Sequence, residues 1–87
     1  MQNNPEYYGL PARMQLETLG ENHLGIRKVI KSRIIRKDAV KIAEAARVVR
    51  NLSPGATITL ICTRNICSKS LKLLAEEGIN VQYTNDI

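Results

Sequence analysis

An 87-residue chain with 44% hydrophobic and 24% charged residues has the composition of a folding globular protein with room for one domain, and is too apolar for disorder. No stretch approaches the roughly 18 consecutive apolar residues of a membrane span, residues 1–20 lack a signal-peptide layout, and Cys62, Cys67 and a lone His23 are too few for a disulfide framework or a zinc site. The formal charge of +5 is uneven: residues 27–50 carry nine basic side chains against Asp38 and Glu44, a local net of +7, while the remainder sums to −2.

Residues 1–11, with Asn3, Asn4, Pro5, Gly9 and Pro11, read as an irregular arm that Tyr7 and Tyr8 could tie down, followed by a single α/β domain over 12–87. A short strand over 12–19, a turn at Gly20, Glu21 and Asn22, and a second strand over 24–35 form an antiparallel hairpin. Alternation along the second strand sets Ile26, Ile30 and Ile34 on a core face, and Arg27, Val29, Lys31 and Arg33 on the other.

Ala39, Ile42, Ala43, Ala46 and Val49 recur at helical spacing and predict a helix over 37–50, with Asp38 at the positive end of its dipole. Asn51, Ser53, Pro54 and Gly55 end it. The apolar, β-branched run 56–63 reads as a buried strand, and Ser68 as the cap of a second helix over 69–77 whose Leu71, Leu74 and Ala75 face inward. Gly78 suits the position after that helix, and 79–84 is the last strand. The expected fold class is therefore α/β: a small mixed sheet in the order β-β-α-β-α-β, with an N-terminal antiparallel hairpin and helices covering the sheet.

The stretch Lys31-Ser32-Arg33, followed by Arg36-Lys37-Asp38-Ala39-Val40, then Ile58-Thr59-Leu60-Ile61-Cys62-Thr63, Ser70-Leu71-Lys72-Leu73-Leu74-Ala75-Glu76-Glu77 and Gly78-Ile79-Asn80-Val81, resembles the second half of the restriction-endonuclease-like, or PD-(D/E)xK, nuclease family. The resemblance covers about residues 26–83 and implies that family's DNA-contacting scaffold, with Lys31 as the motif lysine. That chemistry needs two metal-holding carboxylates. Val29 stands where one should be, and Pro11, Ala12 and Arg13 where the other should be, so the implied protein is an inactive relative without metal; a nuclease completed by Glu17 or Glu21 is the minor alternative.

A second stretch, Cys62-Thr63-Arg64-Asn65-Ile66-Cys67-Ser68, resembles the phosphate-binding loop of low-molecular-weight tyrosine phosphatases, which implies a nucleophilic Cys62. Ser68 stands where that loop closes on an arginine, and two small residues packing at a strand end are the plainer reading. His23, beside a turn and without an orienting partner, reads as a solvated side chain.

The clustering of charge is the footprint expected of a polyanion-binding protein. Arg27, Lys28, Lys31, Arg33, Arg36, Lys37 and Lys41 are the candidate nucleic-acid contacts. Three Tyr and no Phe or Trp leave few platforms for stacking bases, which favours duplex over single strands, while DNA ahead of RNA is what the nuclease resemblance implies. The expectation is a cytoplasmic, non-catalytic, weakly sequence-specific binder without cofactor or membrane partner. Its rival is an accessory subunit of a nucleic-acid-processing assembly, docking through the N-terminal arm or the last strand on another protein or a second copy of the chain.

Overall fold

The computed structural model describes residues 2–85. After a short 3-10 helix (Pro5–Tyr8), the chain runs β1 (Gln15–Gly20), β2 (His23–Lys28), α1 (Arg36–Leu52), β3 (Thr57–Cys62), α2 (Ser68–Glu76) and β4 (Asn80–Tyr83), the β-β-α-β-α-β order read from the sequence. Strands lie side by side in chain order, with β1–β2 antiparallel and β2–β3 and β3–β4 parallel.

Register assigns the two faces. Leu16, Ile26, Leu60 and Val81 align across the sheet, beside Leu24–Ile58, and these residues share one apolar cluster with Ala39, Ile42, Ala46 and Val49 of α1 and Leu74 of α2. Both crossovers advance in the same direction, so right-handed connections put both helices on this one face. Four alanines of α1 (Ala39, Ala43, Ala45 and Ala46) are buried, and the element whose backbone α1 approaches most closely is α2 rather than the strands. On the opposite face, Glu17, Gly25, Thr59 and Asn80 align, next to Gln15, Arg27, Ile61 and Gln82.

Four local expectations change. The second strand ends at Lys28, because its partner β3 ends opposite it at Cys62 and leaves residues 29–33 without a ladder; only Ile34 re-pairs, in a single parallel bridge with Ile66. The arm is not irregular throughout: Asn4 caps the 3-10 helix, and Tyr8, only 5% exposed, packs in the chain's own core, with its hydroxyl donating to the Gln2 carbonyl. Cys67, not Ser68, caps α2, because the Cys67 amide donates to Ile34 O at 3.0 Å and aims the thiol at the Ser70 amide. Ala75 is exposed, the inward side of α2 being Ser70, Leu71 and Leu74. Among the described residues, no helix is long and apolar enough to cross a membrane.

Candidate nucleic-acid interface

The three parallel strands β2, β3 and β4 all end at one edge of the sheet, where the connections 29–35 and 63–67 lie side by side. Backbone bonds lock them together: Ile34 N donates to Asn65 O at 2.9 Å, and Cys67 N to Ile34 O at 3.0 Å. The Asn65 side chain adds a 3.3 Å bond to Lys31 O, and the Ser70 hydroxyl a 3.4 Å bond to Ile34 O. Open α/β sheets hold ligands at the carboxyl ends of their strands where the strand order reverses; this sheet runs in one direction, so its edge presents the two connections without such a crevice.

Cations of both connections and both helix starts gather here. Lys31 and Arg33 come from the first connection and Arg64 from the second, all exposed. Arg36 opens α1 and, with Lys69, Lys72, Leu73 and Glu76 of α2, lines a shallow, open recess of about 220 Å³. The guanidinium of Arg64 lies 4.8 Å from the centre of the Tyr83 ring, so it covers the aromatic ring nearest this edge.

The seven sequence candidates do not form one surface. Lys31, Arg33 and Arg36 belong to this rim. Arg27 turns to the face away from the helices, where its guanidinium meets Glu17 at 3.3 Å. Lys28 and Lys41 instead line, with Arg13, a groove of about 630 Å³ between α1 and residues 10–15, floored by Met14, Ile30, Ile42 and Val48. Lys37 is exposed in the first turn of α1, one turn before Lys41. Arg47 and Arg50 are spent at the far end of the helix layer: Arg47 forms two 2.9 Å bonds with Glu77, and Arg50 donates to Glu77 O at 2.7 Å and Gly78 O at 3.0 Å.

Arg64, Lys69 and Lys72 were outside the charge-dense segment and so were missed. Their signal was topological: two successive β-α units in a parallel sheet return equivalent positions to the same edge, which brings Arg33 and Arg36 of the first beside Arg64 and Lys69 of the second.

The two thiols differ. Cys62 is fully buried on the helix side, and burial pushes its pKa up, so it does not present the nucleophile the phosphatase-like loop implied. Cys67 is half-buried; the Ser70 hydroxyl at 2.9 Å and the Ser70 amide, together with the charge of Arg33, hold its thiol below the ordinary range. His23 is not simply solvated: its Nε2 lies 2.7 Å from the Thr59 hydroxyl across the strand pair. No three His, Cys, Asp or Glu side chains among the described residues converge on a common point. Glu17 is engaged by Arg27, and Glu21 is exposed in the hairpin turn. Lys31 lies beyond the end of β2, off the hairpin strand where the nuclease resemblance placed it.

In comparisons with known proteins, the chain matches no protein-family model, no curated protein and no solved structure.

Proposed function

We propose that the protein binds nucleic acid, duplex DNA foremost, without catalysis, by neutralising backbone phosphates with Lys31, Arg33, Arg36, Arg64, Lys69 and Lys72. The observation that carries this reading is the locking of two connections distant in sequence into one cationic rim. This frame holds the backbone from which these cations extend, so less of the chain has to be ordered when they meet phosphates.

Duplex is favoured over single strands because Tyr83 is occupied by Arg64 and the other two tyrosines lie in the N-terminal 3-10 helix, far in sequence from the rim. Contacts of this kind read charge and spacing more than base identity, so specificity for sequence is weak.

A salt titration against labelled duplex DNA tests the reading. Six neutralised phosphates give a slope of log K against log salt of about −5, and removing two cations with Lys31→Ala and Arg33→Ala lowers its magnitude by roughly 1.8. An unchanged slope, or no binding at low salt, rejects it. A parallel series with magnesium should show intact DNA; cleavage would reject the non-catalytic part alone.

A further inference from the structure

We infer that the recess between α1 and α2 is a subsite for a terminal phosphate, the monoester at the end of a nucleic-acid strand, an inference that rests on the nucleic-acid reading above. Its three cations come from two helices: Arg36 from the first residue of α1, Lys69 and Lys72 from successive turns of α2. The helices are fixed relative to each other at both ends, by the Ile34–Ile66 bridge near their starts and by Arg47 and Arg50 on Glu77 and Gly78 at their finish.

Among the described residues, none of the three cations has an ion pair or side-chain hydrogen bond. At the helix starts, the Asp38 carboxylate accepts from the N-cap Ile35 N at 3.1 Å and so places a negative charge at the start of α1, and the Cys67 thiol accepts from Ser70 N at the start of α2. Anion capture therefore falls to the side chains.

Size and charge select the ligand. At about 220 Å³ the recess is smaller than the roughly 300–1,000 Å³ of pockets that enclose a whole small molecule, but it admits a phosphate with bound water. A backbone diester has one charge and two free oxygens, with a sugar on either side. A terminal monoester has nearly two charges and three free acceptor oxygens, which suits three cationic donors approaching from two walls. Glu76, exposed on the same recess, offsets part of this positive charge.

The test compares one duplex carrying either a 5′-phosphate or a 5′-hydroxyl, with adenosine 5′-monophosphate as a separate arm. The phosphorylated end should bind about tenfold tighter, the effect of one additional charge-assisted contact. Lys69→Ala with Lys72→Ala should collapse that ratio, while Lys31→Ala with Arg33→Ala should weaken both duplexes and preserve it. Equal affinity for the two duplexes, or a ratio intact in the Lys69 and Lys72 variant, overturns the subsite and leaves the rim standing. Failure of both duplexes to bind rejects the nucleic-acid reading itself. Adenosine 5′-monophosphate binding as tightly as the phosphorylated duplex would overturn strand-end recognition in favour of a free nucleotide.

Discussion

A methyl group placed on Gly25 would lie 3.0 Å from the Cδ1 atoms of both Ile61 and Leu19, closer than side chains normally pack. Those two residues lie over the bare backbone of β2 on the face the helices leave open, which explains how Ile61 is 1% exposed there. Gly25→Ala should cost about 1–2 kcal/mol, an overpacking penalty moderated by the mobility of two side-chain ends, in urea unfolding. A midpoint unchanged from the parent would show that the open face repacks freely.

The cysteines give a second prediction at this scale. Cys67 should react with iodoacetamide in the native state well before Cys62, since its thiol is held low by Ser70 and Arg33 while that of Cys62 is buried and held high. Ser70→Ala should slow Cys67 without accelerating Cys62. Equal rates would mean that Cys62 is reached through unfolding. The sequence placed Cys62 in a buried strand and Cys67 outside it, but the contact that lowers the Cys67 thiol, with Ser70, shows only once α2 starts at Ser68.

Element positions were largely legible, and their ends were not. The periodicity of Ala39, Ile42, Ala43, Ala46 and Val49 placed α1 almost to its bounds, because a helix satisfies its own backbone and its pattern is local. The second strand was extended past Lys28 because the alternation of Ile30 and Ile34 persists where the ladder does not; a strand ends where its partner ends, and that partner lies more than 30 residues away. Ile30 and Ile34 still pack on the core from an irregular segment.

The clasp between α1 and α2 predicts a dependence on pH. Arg47 holds the Glu77 carboxyl below the usual carboxylate range through its two bonds and its charge, so the charged form is favoured in the folded state. Stability from this pair is present above the unfolded carboxyl value of about 4.3 and is lost as the pH falls through the lower folded value. The difference in thermal midpoint between the parent and Glu77→Gln should therefore be present at pH 7 and vanish in acid. A difference that persists undiminished in acid would assign the effect to hydrogen bonding or packing.

Across the whole molecule, the sign of the charge does not locate a site. Arg27, Arg47 and Arg50 lie in the charge-dense segment, yet they are engaged with Glu17, Glu77 and the end of α2, on surfaces other than the rim. Arg47→Ala should accordingly leave the salt slope for duplex DNA unaltered, although it removes the same formal charge as Arg33→Ala. If both variants lower the slope equally, the protein attracts nucleic acid by net charge, and the rim has no special standing. The groove beside Lys28, Lys41 and Arg13 is a second basic surface continuous with α1, and its apolar floor sets it apart from the rim.

The sequence by itself determined the class and order of the fold, the position of both helices and the segment that carries most of the charge. These follow from periodicity and composition, which depend on neighbours within a few residues. The tertiary structure decided which cations share a surface. Two parallel β-α units return Lys31, Arg33 and Arg36 to the same edge as Arg64, Lys69 and Lys72, residues some thirty positions apart in the chain. Backbone bonds between Ile34, Asn65 and Cys67 hold them there. Strand pairing, a contact between distant residues, writes no local pattern, and for that reason only half of the rim was visible before the chain was folded.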